Sequence, residues 1–243
     1  MYAQSPTPRL RVEGLTKAFD KKIALDGLSF QLERGEVLGI LGPNGAGKTT
    51  TFLCLCGLLR PDGGSIFFEG SKLGGERGRT ISLIPETPEV YPMLTVWEHF
   101  AFVARSARLR PGWEARAEEL IARFGMQAYR GALGQTLSKG MRQKTLVAAT
   151  VFAETPVLLF DEPMIGLDPL GQRELRDLIA TLAGGGTSIV MSTHLIESAE
   201  SICDRLIIMK AGRAVASLSV SELRAQAAEG GRSLEDVFLE LTA

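Results

Sequence analysis

The sequence predicts an α/β fold: a sheet core preceded by an antiparallel β region and interrupted by an inserted helical subdomain. Three observations carry this. The short apolar runs VLGIL (37–41), VLLFDE (157–162) and TSIVMST (187–193) lack alternation, as strands buried on both faces do. The opening, RLRVEGLTKAF and then LDGLSFQLERGEVLGIL, reads as strands separated by turn residues. From about residue 90 to 154 the texture becomes helical before strands return.

Taken in order, Glu33-Arg34-Gly35-Glu36 forms a tight turn between two early strands. After VLGIL come GPNGAGKTT and an apolar helix running through Leu53, Cys56 and Leu59, stopped by RPDGG. SIFFEG and TISLIP read as strands. Thr95-x-x-Glu98 is a capping box before WEHFAFVARSARL, and Pro111-Gly112 opens a helix closed by Gly125. A helix begun at Ser138 ends before Thr155-Pro156. DPLGQRELRDLIATLAGGG has an Asp cap, Pro in its first turn and glycines at its end. RLIIMKAGRAV reads as one further strand-like run. These elements predict a single domain over about 9–225, with core at 9–89 and 155–225 and insert at 90–154. A short helical extension follows over 226–243.

With 243 residues and 45% apolar content, the chain can bury a substantial core. A net charge of −1 gives no basic field, so nucleic acid is not an expected partner. The three cysteines, Cys54, Cys56 and Cys203, form neither an even framework nor a CxxC pair, and read as small buried side chains. MYAQSPTPRLRVEG has no apolar signal core and reads as a short disordered lead. No apolar run approaches the ~18 residues that span a bilayer, so any membrane part belongs to another chain.

Two stretches are built for anions. Gly42 to Thr49 match G-x-x-x-x-G-K-[ST] in full, after a buried strand and before a helix, which is the context the motif requires. Glycines 42, 45 and 47 let the backbone of this P-loop curl its N–H groups around a β-phosphate, with Pro43, Asn44, Ala46 and Thr50 completing the lining. Lys48 reaches the β/γ oxygens, and Thr49 offers a hydroxyl to Mg²⁺. Asp161 and Glu162 end a second buried strand and should face the P-loop, since ligands of open α/β sheets sit at the carboxyl ends of strands. Asp161 suits the Mg²⁺ shell and Glu162 a water awaiting a base. His194, after the third core strand, can donate to a γ-phosphate oxygen, whereas His99 reads as structural. The second anion stretch is TLSKGMRQK (136–144), where Ser138 caps a helix and Gly140 leaves the backbone bare.

GPNGAGKTT, LSKGM, LLFDEP, GLDP and STH, in this order and spacing, make the chain resemble the nucleotide-binding subunits of ABC transporters. The resemblance implies a P-loop NTPase core of ABC ATPase type, with ATP and Mg²⁺ as ligands. LSKGM stands where LSGGQ usually stands, with Lys139 and Met141 as departures. GLDP (166–169) is the D-loop, which brings Asp168 to the nucleotide. Phe19 matches the aromatic that stacks on adenine, and Glu86 takes the place of a glutamine, offering oxygen to Mg²⁺ or the attacking water. The resemblance further implies head-to-tail packing with a second copy or a homologous ATPase subunit. Ser138 and Gly140 then cap the ATP held by the other P-loop, and the segment 86–97 carries motion to a polytopic membrane subunit at the inner face of the cell membrane. LSKGM and SLEDVFLELT look like the subgroup serving bacterial ABC-2-type exporters. Soluble ATPases of the same type, such as that of iron–sulfur cluster assembly, and an ATP-dependent clamp without turnover share these motifs.

Overall fold

The structure, a computed structural model, describes residues 7–75, 77–165 and 167–242. Residues 1–6 of the expected lead, Gly166 of GLDP and Ala243 lie outside the described residues.

Alternating burial sets the first sheet. Strands β1 (Leu10–Phe19) and β2 (Lys22–Leu32) pair antiparallel. On the other side of β1 lies β4 (Gly63–Phe68), followed by the short β5 (Ser71–Lys72), giving the order β2-β1-β4-β5. The turn at Glu33–Glu36 does not make a hairpin. It sends β3 (Val37–Leu41) into a second sheet, where every β3 residue is buried. That sheet also holds β6 (Ile81–Ile84), β7 (Val157–Asp161), β8 (Ser188–Thr193), β9 (Arg205–Lys210) and β10 (Arg213–Ser219). Its order is β10-β9-β3-β8-β7-β6, parallel except for β10 at one edge. RLIIMKAGRAV is therefore two strands rather than one run. Ala211 and Gly212 both take positive φ (48° and 80°), as a two-residue hairpin turn requires.

Helix α1 (Lys48–Cys56) ends earlier than the apolar pattern suggests. Gly57, at φ 84°, turns the chain left-handed before Leu59. The helix's free carbonyls then find a cation. Arg77, 8% exposed, donates to the carbonyls of Cys54, Leu55 and Gly74. A positive charge at a helix C-terminus is favourable. Between β6 and β7 come α2 (Val96–Ser106), α3 (Trp113–Arg123) and α4 (Lys139–Phe152). Thr95 and Glu98 form the expected capping box on α2, a device worth about 1 kcal/mol. After β7 come α5 (Pro169–Gly184), α6 (Ile196–Glu200), α7 (Val220–Gly230) and α8 (Leu234–Thr242). Residues 225 and 226 both fall inside α7, which starts at its own capping box, Ser219 with Glu222.

Successive residues of a strand point to opposite faces, so the parallel sheet carries two cores. Leu38, Ile40, Leu159 and Val190 pack with Phe52 of α1 and Leu10 of the first sheet. Leu41, Leu158, Phe160 and Met191 pack on the other face with Phe100 and Phe152 of the inserted helices. Cys54 and Cys203 are buried and all three cysteines are free. Burial pushes the Cys54 thiol up to about 11. The neighbours β3, β8 and β7 end at one sheet edge, which makes that edge the place to look for chemistry.

Candidate functional site

The loop after β3 is held by its glycines. A Cβ on Gly42 would stand 2.5 Å from the Met209 carbonyl oxygen. Gly47 lies at φ 106°, and a Cβ there would stand 2.5 Å from the Ala24 oxygen. The loop is thus seated against both sheets, and the Gly212 N–H donates to the Ala46 carbonyl (2.9 Å). Beside it opens a cleft of about 560 Å³, within the usual range for small-molecule sites. Asn44, Gly45, Ala46, Gly47, Lys48, Thr49 and Thr50 line it. Phe19, Glu86, Glu162 and His194 line it too, together with Lys22, Ala24 and Ile165, which sequence reasoning missed.

Lys48 is 6% exposed, and its ammonium donates to the Gly42 carbonyl (2.7 Å) and the Pro43 carbonyl (3.5 Å). Its Nζ lies 3.4 Å from Glu162 Oε1. His194 Nδ1 lies 3.1 Å from Glu162 Oε2. Glu162 is therefore flanked by two nitrogens, and its backbone takes φ 47°, a conformation uncommon for a residue with a side chain. Such strain persists where surroundings hold it and clusters at functional sites.

Asp161, the last residue of β7, is 4% exposed. Thr49 donates its hydroxyl to Asp161 Oδ2 (2.8 Å), and Ser192 donates to Oδ1. Ser192 also accepts the Glu162 N–H (2.9 Å). Among the described residues no group of three or more His, Cys, Asp or Glu is set to hold a metal. A hydroxyl and one carboxylate beside a phosphate loop is nonetheless the donor set Mg²⁺ favours, since it takes few protein ligands and shares substrate phosphates. The residues present fit the ion.

The structure does not bring every predicted residue to this cleft. Ser138 is the exposed N-cap of α4 and accepts the Met141 N–H (3.3 Å). Gly140 has open space where a Cβ would stand. Asp168 caps α5 by accepting the Gly171 N–H (2.8 Å). None of the three lines the cleft. Phe19, at the end of β1, is 47% exposed, with Lys17 Nζ 5.6 Å from its ring centre. Gln143, buried in α4, donates to the Pro163 carbonyl (3.1 Å) and ties the helix to the residue after Glu162. Gln143 lies within TLSKGMRQK, but nothing in the sequence pointed to this contact. Ser192 stands in STH, two places before His194, but its pairing with Asp161 comes from strand register.

Comparison with known proteins adds the relationship. A family profile described as "ABC transporter" matches residues 25–165, and an AAA-domain profile matches 133–198. The chain is 37% identical to the Bacillus subtilis ABC-type transporter ATP-binding protein EcsA, over 96% of each chain. It is 34% identical to the SkfA peptide export ATP-binding protein SkfE of the same organism, over 90% of this chain and 92% of the relative. It is 36% identical to the daunorubicin/doxorubicin resistance ATP-binding protein DrrA of Streptomyces peucetius, over 90% and 68%. A solved ATP-binding subunit of an ABC transporter superposes with TM-score 0.88 at 33% identity, over 96% of this chain and 99% of that one. The dimeric bacterial cassette MJ0796 shares the fold, with TM-score 0.78 at 22% identity over 87% and 98%. With its fold, its phosphate loop and these relatives in agreement, the chain belongs to the ABC transporter family, as one of its ATP-binding subunits.

Proposed function

We propose that this chain hydrolyses ATP to drive a separate membrane subunit, and that the system is an exporter. The observation that carries the reading is the convergence of Lys48, Thr49, Asp161, Glu162 and His194 at one end of the parallel sheet. A protein that only bound nucleotide would need no base, and a carboxylate between Lys48 and His194 beside the phosphate loop supports hydrolysis over mere binding. The P-loop amides and Lys48 would bind the β- and γ-phosphates of the substrate. Thr49 and Asp161 would hold Mg²⁺, with Glu86 at the cleft wall as a further oxygen. When bound, the ion supplies positive charge to the phosphate oxygens. Glu162 would take the proton of the attacking water, His194 would orient the γ-phosphate, and Phe19 would stack on the base.

Ser138 and Gly140 do not line their own chain's cleft, which supports a role on the ATP of a second copy or a homologous subunit. Asp168, exposed at the start of α5, would meet the nucleotide at the same interface. Among the described residues no helix is long and apolar enough to cross a membrane, so the pathway would come from another chain. Tyr91 (54% exposed) and Met93 (70%) offer that chain an apolar anchor on the segment running from Glu86 to α2. A separate groove of about 750 Å³ is lined by Val103 of α2, by Arg108 just beyond that helix and by Arg79. The export direction draws on the names of SkfE and DrrA, which speak of peptide export and drug resistance.

The deciding experiment is affinity purification of the tagged chain from detergent-solubilised membranes, with mass spectrometry of what accompanies it and an ATPase assay on the complex. A reproducible polytopic partner that stimulates hydrolysis is expected. Only soluble partners would overturn the transporter reading and favour a soluble ATPase of the same type.

A further inference from the structure

We infer that Ser192 is a positioning residue: its single hydroxyl sets the Asp161 carboxylate and the Glu162 backbone together, so that metal affinity and water activation depend on one buried oxygen. The inference rests on the reading that Asp161 holds Mg²⁺ and Glu162 serves as base.

Ser192 is fully buried, near the end of β8 and directly in register with Asp161 of β7. Its two hydrogen bonds have forced directions. The Glu162 N–H can only donate, so Ser192 Oγ accepts there at 2.9 Å. An ionised Asp161 can only accept, so the Ser192 proton goes to Oδ1. Thr49 occupies the other carboxylate oxygen, Oδ2, from helix α1. Asp161 is thereby gripped from both sides, by the P-loop helix and by β8, which fixes the plane of its carboxylate. The second bond matters because Glu162 sits at φ 47°, where an L-residue needs support from its surroundings. The listless alternative, a serine that merely satisfies a strand end, would need only one partner, and Ser192 serves two groups with different tasks. Groups of this kind, which orient a ligand without touching the ion, typically cost 10–100-fold in metal affinity or activity when removed.

The test uses the full chain and measures binding as well as turnover. Fluorescent ATP binding is titrated against free Mg²⁺ for wild type, Ser192→Ala and Ser192→Thr, with a parallel measurement in EDTA and a thermal melt. For Ser192→Ala, the free Mg²⁺ giving half-maximal binding should rise on the order of 10-fold or more, and kcat should fall on the order of 10–100-fold. Nucleotide affinity in EDTA should stay within about 2-fold, because the P-loop contacts are untouched. Ser192→Thr, which keeps a hydroxyl, should recover most of both. If Ser192→Ala does not fold, Ser192→Cys, of nearly the same shape with a weak donor, takes its place. An unchanged Mg²⁺ titration in a folded variant would overturn the inference. So would an equal loss in Mg²⁺ and in EDTA that tracks the melting temperature, since that is a merely structural effect. Were wild-type binding itself indifferent to Mg²⁺, the underlying reading of Asp161 would fail instead, and the two failures are thus separable.

Discussion

Lys48 Nζ stands 3.4 Å from Glu162 Oε1, and both side chains are nine-tenths buried. The carboxylate expected to act as base is therefore paired with the cation expected to bind phosphate. The pair spares each group an unpaired charge in a buried site. On the proposed reading, a triphosphate in the loop would give Lys48 a stronger partner and free Glu162 toward water.

Glu162→Gln should separate binding from chemistry. The amide keeps the side-chain shape and still faces Lys48 and His194, but it takes no proton. We expect ATP binding to survive while turnover falls by roughly 10²–10⁴. Equilibrium binding and steady-state hydrolysis on the same preparation decide it, and wild-type-like turnover would remove Glu162 from its role.

Ser138 should act on the other chain's nucleotide. A cysteine-free background is made by replacing Cys54, Cys56 and Cys203, with Glu162→Gln to slow hydrolysis of the bound ATP. Ser138→Cys in one preparation and Asn44→Cys in another are mixed under mild oxidation. ATP, and not ADP, should yield a covalent species joining positions 138 and 44 of two chains, seen on a non-reducing gel. Cross-links confined to single chains carrying both changes would mean that the site works in cis.

Tyr91→Ala should uncouple. The ring packs against His99 and Phe102, with centroids 5.9 and 5.0 Å away, yet remains more than half exposed. Loss of the membrane partner in pull-downs, with basal ATPase kept, is the expected outcome. If folding and ATPase collapse together, Tyr91 is a core residue and the docking assignment is wrong.

His99 ties stability to pH. Its Nδ1 lies 2.7 Å from the Thr95 carbonyl, which only accepts, and its Nε2 accepts the Tyr91 N–H (2.9 Å), so the bonded form is neutral. Burial lowers its pKa from the ordinary 6.5, against smaller raising effects from the Thr95 carbonyl and Glu98. A lowered value means that the unfolded chain binds the extra proton first as pH falls. The contribution of His99 is therefore complete above 6.5 and is lost as pH drops toward the folded value. The melting temperature should decline over that window, and His99→Gln should flatten this part of the decline. A slope identical in both proteins would exclude His99 as its source.

The P-loop, Asp161, Glu162 and His194 were legible because each follows a buried strand, and strand ends in a parallel sheet converge. Thr95 and Glu98 were legible because a capping box is local in sequence. Gly57 was not, since an apolar pattern reaching Leu59 hides the left-handed residue that ends α1. The hairpin at Ala211–Gly212 was hidden by the apolar residues on either side of it. Ser192 and Gln143 escaped for another reason: their partners, Asp161 with Glu162 and Pro163, lie 20 to 31 residues away. Only strand register and helix placement bring them together.

The left-handed backbone at Glu162 also bears on how copies of such a gene could decay. Drift to valine or isoleucine at 162 would remove the proposed base and strain the turn at once, because branched side chains are poorly tolerated at positive φ. Drift to asparagine or glycine would ease the turn while removing the proposed base, and would leave buried Lys48 without its carboxylate partner. Folded but inactive descendants should therefore pass through a narrow gate of residue types at this position. A library of all substitutions at 162, sorted first for soluble expression and then for hydrolysis, would reveal that gate directly.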